Sequence, residues 1–285
     1  MRKEITQADI EEYLVTQSDF DLELFVNRSL QERGFTTSHG GSYFDTISGK
    51  NRQYDVRAYT YIEPHCGIFL SVECKSLSNT FPLIVSRVPR PDDDAYHELV
   101  RTWGRKENGE YFRDSIRSSA RMPLYKPGDA VGKKTVQVGR DIDKHGNDSK
   151  TLNASDGETF DKWSQALSSA VDQVEATQEL RGGNGMGHFY SLILPILVVS
   201  DNSLWVVDYS DAGPGAPERV QETTLFVDRT YDLPQRDLHQ AHRVLKVTHL
   251  YIFTRSGFTD FLARLMSPSP AGLRERIFGF AFRQG

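Results

Sequence analysis

The clearest pattern in the chain is an apolar stretch whose side chains alternate between two faces and which ends in two charged residues. In the run from Ile68 to Lys75, one face is apolar through Cys74, whereas Glu73 and Lys75 fall on the other face. This period of two predicts a β-strand. Burying charge there is costly unless the charges are paired with each other or with a metal ion. The pattern therefore indicates either a functional pair or a salt bridge at a solvated edge.

A second predicted strand precedes this one. Residues 53–62 have strand-like composition, and the segment from Glu63 to Gly67 supplies turn-forming residues, so we expect a hairpin. Folding back at that turn would bring Asp55 close to Glu73. Two carboxylates that converge with a lysine can bind a hard divalent cation and place a base beside it.

A helix upstream carries a further acidic candidate. Ser18 and Asp21 are typical of a helix start and Gly34 of a helix end, which predicts a helix over residues 19–33. Its apolar arc consists of Phe20, Leu24 and Leu30. Glu23 falls within that arc, where a glutamate is more often a partly exposed boundary residue. We interpret it as an additional metal ligand or a supporting carboxylate.

In the order of these features the chain resembles the PD-(D/E)XK phosphodiesterase superfamily, which has the restriction-endonuclease-like fold. A helix with Glu23 is followed by a hairpin strand with Asp55 and by a strand with Glu73 and Lys75. Tyr54 stands where the family pattern has proline, at a position that varies widely in the superfamily. A Glu-x-Lys sequence alone is weak, but its combination with the spaced aspartate and the inward helical glutamate is much rarer.

The resemblance covers mainly residues 18–80 and, more loosely, 158–209. It implies that Asp55 and Glu73 hold Mg²⁺, with Mn²⁺ as a substitute, and that Lys75 orients or activates the attacking water. It also implies products with 5′-phosphate and 3′-hydroxyl ends. The full set of predicted metal ligands is Asp55, Glu73, Cys74 and Glu23.

For the whole chain we expect an α/β fold with a restriction-endonuclease-like mixed central sheet flanked by helices. A single nuclease domain would span residues 1–285, with a polar, irregular insertion at about 80–155 and extra carboxy-terminal strands at about 210–285. Within the insertion, helices are predicted over residues 94–105 and 111–120. Further strands are expected near residues 189–199, 203–209, 223–231 and 245–254.

The insertion is rich in basic residues interleaved with aromatic ones. Arg113, Arg117 and Arg121 have a four-residue spacing, which on a helix gives a single stripe. Together with Lys126 they are candidate nucleic-acid contacts. A solvated helical decoration is an equally weighted alternative, because runs of charge are usually solvated faces.

Another helix is predicted from Glu158 to Leu180 by the spacing of Trp163 and Leu167. Gln165 on this helix is a catalytic candidate by resemblance to branches of the superfamily in which a glutamine faces the active site, and a surface residue otherwise. The glycine-rich segment that follows lies between a helix and a strand and is interpreted as a connection rather than a phosphate loop. His239 and His242 are interpreted as surface residues.

The composition excludes some classes of function but does not identify one. The chain has 285 residues, a formal net charge of −5 and two cysteines, which argues against bulk coating of nucleic acid and against a disulfide framework. With a polar amino terminus, we expect a cytoplasmic protein without a membrane segment.

The sequence thus predicts a Mg²⁺-dependent phosphodiester hydrolase, an endonuclease acting on DNA in restriction, phage defence or repair. RNA stays open as a substrate, and a homodimer is compatible with this prediction. The rival prediction is a non-catalytic module that keeps the fold and binds nucleic acid or a protein.

Overall fold

The computed structural model describes residues 4–45, 48–63, 66–104, 111–118, 125–142, 148–176, 188–232 and 244–267. The helices in these ranges are α1 (Gln7–Thr16), α2 (Phe20–Glu32), α3 (Gly157–Ala176) and α4 (Arg255–Leu265). No helix among the described residues is long and apolar enough to cross a membrane.

The strands in the same ranges are β1 (Thr36–His39), β2 (Ser42–Asp45), β3 (Lys50–Gln53), β4 (Val56–Glu63), β5 (Cys66–Lys75), β6 (Leu83–Pro89), β7 (His97–Gly104), β8 (Tyr111–Ser118), β9 (Ala130–Ile142), β10 (Asp148–Ser155), β11 (His188–Val199), β12 (Leu204–Ser210), β13 (Gly213–Pro214), β14 (Glu218–Arg219), β15 (Glu222–Asp232) and β16 (Val244–Thr254). A single 3₁₀ turn in this part of the chain covers Asp92–Asp94.

The centre of the molecule is a large mixed sheet. Its main path runs in the order β1-β4-β5-β11-β16-β15-β9-β6-β12-β13, while β2 and β3 form a separate hairpin. Strand β5 pairs antiparallel with β4 and parallel with β11, and β11 pairs parallel with β16. The predicted hairpin and the α/β class with a mixed sheet and flanking helices are therefore confirmed.

Helices cover both faces of the central strands. On one face, which we call the α2–α4 face, Val72 and Cys74 of β5 pack with residues such as Val26 and Phe258. On the opposite α3 face, Leu197 of β11 packs with the buried apolar residues of α3. Glu73 is in register with Leu197, so its side chain points to the α3 face.

Pro195 lies inside β11, although proline cannot donate a ladder hydrogen bond. Residues 188–192 of β11 pair with β7, and residues 196–199 pair with β16 on the same edge. The proline occupies the gap where one partner strand ends and the next begins, so no ladder bond is lost.

The two helices predicted within residues 80–155 are wrong. The structure has β7 over His97–Gly104 and β8 over Tyr111–Ser118, paired antiparallel. Leu99 and Val100 are both buried, in the cores of opposite sheet faces. A strand covered on both faces carries consecutive apolar residues, and such a run is ambiguous with a helix.

The same segment is not irregular but extends the sheet. Strand β9 pairs antiparallel with β6 and meets β15 at Gly132, which is in register with Leu225. A Cβ atom at Gly132 would lie 2.9 Å from the Thr224 carbonyl oxygen, so the close approach of these strands depends on the glycine.

Candidate active site

The β4–β5 hairpin brings Asp55 to the charged end of β5. Val56 is in register with Val72 in this antiparallel pair. Asp55, the residue before β4, therefore lies opposite the residue that follows Val72 on β5, which is Glu73. The Asp55 Oδ2 atom accepts a hydrogen bond from the Cys74 main-chain N–H at 2.7 Å. The register places Asp55 beside Glu73, as the sequence predicts.

Glu73 is fully buried, with 0% of its surface exposed. Neither of its carboxylate oxygens has a hydrogen-bond partner among the described residues. Burial raises the pKa of Glu73 well above its usual range, and the neighbouring Asp55 carboxylate raises it further. A buried carboxylate without hydrogen bonds is rare because its desolvation is uncompensated, which makes this position a candidate for a bound cation.

A lysine from α3 lies among the carboxylates. The Lys162 ammonium is 2.9 Å from Asp55 Oδ2 and 3.6 Å from Glu73 Oε2. It is also 4.0 Å from Asp19 Oδ2. Burial alone would lower the pKa of Lys162, but the surrounding carboxylates outweigh burial and raise it above its ordinary value. Lys162 therefore stays protonated throughout the neutral pH range.

Asp19 joins the cluster from the start of α2. It occupies the N-cap position but makes no capping hydrogen bond. Instead, Oδ1 accepts the Ser76 main-chain N–H at 2.6 Å and Oδ2 lies 3.7 Å from Lys75 Nζ. Burial raises the pKa of Asp19, against the effects of the Ser76 hydrogen bond and the two lysines. The predicted capping pair of Ser18 and Asp21 is wrong, because the N-cap is Asp19, and Ser18 Oγ accepts the Phe20 main-chain N–H at 3.3 Å from one position farther upstream.

Glu23 lies one helical turn from Asp19, but its side chain pairs with His39 and not with the predicted metal-binding residues. Its Oε2 atom is 2.9 Å from His39 Nε2. The predicted apolar arc is also shifted, since the buried residues of α2 are Leu22, Val26 and Leu30. Phe20, expected on the apolar arc, is 55% exposed. Among the described contacts of the Asp55–Glu73 pair, none comes from Glu23.

Cys74 reaches the site only through its main chain. Its side chain packs in the core of the α2–α4 face, opposite to Glu73. Burial raises the pKa of the Cys74 thiol well above its usual range, with Asp55 and Glu73 adding to the effect. A protonated thiol on the far face is no metal ligand. The Cys74 N–H and C=O groups point to the Asp55 edge, since both groups of one strand residue face the same neighbour.

Gln165 helps to position α3 rather than to line the cluster. Its side-chain amide donates to the Gln53 main-chain carbonyl, and Tyr43 donates to the Gln165 carbonyl at 3.2 Å. Arg57 adds a salt bridge of 2.7 Å to Asp172 farther along the helix. These contacts fix α3 on the β3–β4 segment and thereby set the position of Lys162.

Lys162 and Asp19 are the site residues that the sequence prediction missed. Lys162 precedes Gln165 by one helical turn, so both lie on the same side of α3. A lysine next to the core residue Trp163 was the available signal, because a lysine at such a boundary needs a partner. In the sequence prediction, Asp19 was only the first residue of the helix over residues 19–33.

The basic candidates of the insertion lie away from this cluster. Arg113 and Arg117 are on β8, and Arg121 lies outside the described residues. Strand β8 pairs with β7, whose partner residues on β11 end at Leu192. At about 3.3 Å per residue, Leu192 is roughly 16 Å along the strand from Leu197, the neighbour of Glu73. Lys126 is exposed, and its main-chain N–H donates to Asp129.

The carboxylates are not arranged as a ready cage for a metal ion. Among the described residues, no group of three or more His, Cys, Asp or Glu side chains is close enough together to hold one. The Lys162 ammonium instead occupies the space between Asp55, Glu73 and Asp19. The donor chemistry nevertheless fits Mg²⁺, which keeps several waters and is usually bound by only one or two carboxylates plus substrate phosphate.

Comparison with known proteins adds no identification. No protein-family model, curated protein or solved structure matches the chain. The glycine-rich segment at 181–187 and the histidines His239 and His242 lie outside the described residues. The functional argument therefore rests on the geometry of the cluster.

Proposed function

We propose that the chain is a Mg²⁺-dependent nuclease with a restriction-endonuclease-like core and that it hydrolyses phosphodiester bonds in DNA. The observation that carries this proposal is the buried Glu73 carboxylate, which has no hydrogen bond. It lies beside Asp55 and 3.6 Å from the Lys162 ammonium, near the end of a central strand. A cation-binding role accounts for a carboxylate that is otherwise costly to bury.

Each residue of the cluster has a role in this proposal. Asp55 and Glu73 would hold the ion. Bound Mg²⁺ supplies a water of lowered pKa and neutralises charge on the phosphate. Lys75, on the same face of β5 as Glu73, would orient the attacking water. Asp19 would keep Lys75 in place through its 3.7 Å contact.

Lys162 is a second lysine with a role in this proposal, beside Lys75. Because its pKa is raised, Lys162 is a cation and not a base at neutral pH. In this proposal it balances the carboxylates before the metal ion binds and then contacts the phosphate oxygens, where negative charge develops during in-line attack. A protonated lysine in that position can also donate a proton to the leaving 3′-oxygen.

The test is metal-dependent cleavage of circular, linear and single-stranded DNA and of RNA. Cleavage should require Mg²⁺ or Mn²⁺ and should disappear in Glu73→Gln and Lys75→Ala. Asp94→Asn is a matched control, because Asp94 is also buried but pairs with Lys133 outside the cluster. Full activity in excess EDTA, or in folded Glu73→Gln protein, would refute the proposal.

One observation favours a second candidate, a non-catalytic module that binds nucleic acid or a protein. The Lys162 ammonium already compensates charge where a metal ion would sit. If this neutralisation is permanent, calorimetry should detect no Mg²⁺ or Mn²⁺ binding, and DNA should bind equally with and without EDTA. Metal binding that is lost in Asp55→Asn would exclude this candidate.

A further inference from the structure

A cavity of about 350 Å³ lies on the α2–α4 side of the sheet, away from the Glu73 cluster. Its inner wall includes Leu194, Tyr251 and Phe253, which belong to the core of the α2–α4 face, whereas Glu73 points to the α3 face. Leu194 is in register with Leu70 of β5, so the sheet separates the two places. The volume is within the range of small-molecule sites.

The central polar residue of this cavity is Arg90, which is only 4% exposed. One terminal nitrogen donates to the Asp94 carbonyl at 3.0 Å and contacts His249 Nε2 at 2.7 Å. The other donates to Thr224 Oγ1 at 3.3 Å. The Arg90 Nε atom is buried and has no hydrogen-bond partner.

None of these partners carries a negative charge to balance Arg90. Because arginine only donates, His249 Nε2 must accept, and the proton of a neutral imidazole then lies on Nδ1, 2.9 Å from Thr248 Oγ1. The nearby Asp94 carboxylate is bound by Lys133 instead. Among the described residues, no carboxylate forms a salt bridge with Arg90, and the Asp94 and Asp129 carboxylates act on its charge only from a greater distance. Arg90 is thus a buried cation whose charge is incompletely compensated, and the anionic group of a ligand would supply a closer counter-charge.

The cavity also offers flat aromatic surfaces. The Arg90 guanidinium lies 4.5 Å from the centre of the Tyr125 ring, which stacks on His249 at 3.8 Å. Phe253 and Phe261 also line the cavity and stack on each other at 4.6 Å, and Tyr251 contacts both of them as well as Tyr125. A cation beside aromatic walls suits a ligand in which an anionic group is joined to a planar ring.

The charges at the rim are largely balanced. Arg264 pairs with Glu222, and Arg87 pairs with Asp208 at 2.6 Å. The lining contains three arginines against two acidic residues, Asp129 and Glu222. An anion entering the cavity therefore meets no excess of negative charge, and its counter-ion is Arg90.

We infer that this cavity binds a nucleotide unit, with the phosphate at Arg90 and the base against the aromatic wall. Two ligands present this combination of phosphate and base: a free mononucleotide, and the 5′-phosphorylated end of a nucleic-acid strand. This inference does not depend on the proposed nuclease activity, because no residue of the Glu73 cluster lines the cavity.

The experiment is calorimetric titration of the full chain with AMP, GMP, CMP, UMP and a 5′-phosphorylated thymidine tetranucleotide. Inorganic phosphate and adenosine serve as fragments. At least one nucleotide or the tetranucleotide should bind at least tenfold more tightly than phosphate, and Arg90→Gln should weaken that binding at least tenfold. A preference for mononucleotides identifies a free ligand, and a preference for the tetranucleotide identifies a strand end.

A second variant keeps the test valid if Arg90→Gln fails to fold. Ala130 lines the cavity but is exposed, so Ala130→Phe should fill the entrance and abolish binding without disturbing the core. Lys134→Phe is the matched control, since Lys134 is exposed on the same strand and does not line the cavity. Absence of binding at millimolar concentrations, equal binding of phosphate, or unchanged binding by Ala130→Phe would overturn the inference.

Discussion

Glu73 illustrates how a single side chain can be unfavourable for the fold and still be informative about function. The residue is enclosed on the α3 face, and the Lys162 ammonium, 3.6 Å away, is the one cation of the described residues that compensates its charge at salt-bridge distance. Ionising such a group inside the protein is opposed by desolvation, so the folded state favours its protonated form. Stability and ion binding should therefore respond to pH in opposite directions.

Glu73→Gln should be more stable than the wild type at pH 8 in the absence of metal ions. The pKa of Glu73 is raised in the folded state, so its contribution to stability is complete below the unfolded pKa near 4.5 and is lost as pH rises through the folded pKa. Glutamine does not titrate, so the variant loses no stability at this position as pH rises. Urea unfolding should show a gain of about 1 kcal/mol at pH 8 that shrinks towards pH 5. A difference independent of pH would contradict this explanation.

Lys162→Met tests whether the ammonium competes with a metal ion. Without metal, the variant should lose about 2 kcal/mol of stability, because Asp55 and Glu73 repel each other and lose a charged hydrogen-bond partner. With Mn²⁺ it should gain more stability than the wild type does, since the ion no longer displaces a lysine. Thermal unfolding with and without Mn²⁺ measures both effects, and Lys134→Met is the control for an exposed lysine. An equal Mn²⁺ response in the variant and the wild type would argue against competition.

At the scale of elements, the local part of the site could be predicted from the sequence. Alternation along β5 and the turn before it determine the hairpin, and the hairpin determines the proximity of Asp55 and Glu73. Gly34 ends α2 with a φ of +81°, a conformation that glycine adopts readily. Each of these features depends on neighbours in sequence.

The contributions of other elements could not be predicted in the same way. Lys162 enters the cluster because contacts of Arg57 and Gln165 fix α3 across the hairpin, more than a hundred residues away in sequence. Asp19 has the local signature of a cap, but its side chain bonds to Ser76 instead. Tertiary contacts override local preferences at both residues.

The arginines of β8 remain candidate nucleic-acid contacts in a changed geometry. Arg113 and Arg117 lie four positions apart along β8 and not on successive turns of a helix. Changing both, together with Arg121, to glutamate should weaken DNA binding for all sequences and flatten the plot of log affinity against log salt by about one unit per lost contact. Metal affinity should be unchanged, because β8 lies away from the cluster.

A charge-matched control for this experiment changes Arg28, Arg33 and Lys134, which are exposed on other parts of the chain, to glutamate. The two triple variants have the same net charge and differ only in where the charge is placed. If both show the same salt dependence, the effect comes from net charge alone and β8 is not the contact surface.

At the scale of the whole molecule, the sequence predicted the class of the fold but not the extent of the sheet. The α/β class follows from the alternation of helical and strand patterns. The wide sheet arises because β6, β9 and β12 join it through pairings distant in sequence, such as that of Leu83 with Leu204. Such pairings leave no local signal, which is why this region was expected to be irregular.

The net charge of −5 leads to a prediction about how the chain would bind the polyanionic substrate that we propose for it. In that proposal, phosphate approaches a cluster in which, among the described residues, Asp19, Asp55 and Glu73 face two lysines, so without a divalent ion the site opposes binding. In EDTA, DNA affinity should therefore be low, and Ca²⁺ should raise it at least tenfold while supporting little cleavage, because Ca²⁺ is loosely coordinated and activates water poorly. Fluorescence anisotropy with labelled DNA measures the affinity, and gels of the same samples measure cleavage. At a pH above the raised pKa of Glu73, Glu73→Gln removes one negative charge and should bind DNA more tightly than the wild type in EDTA, with a smaller response to Ca²⁺. Equal DNA affinity in EDTA and Ca²⁺ would show that the carboxylate cluster does not contact the phosphate backbone.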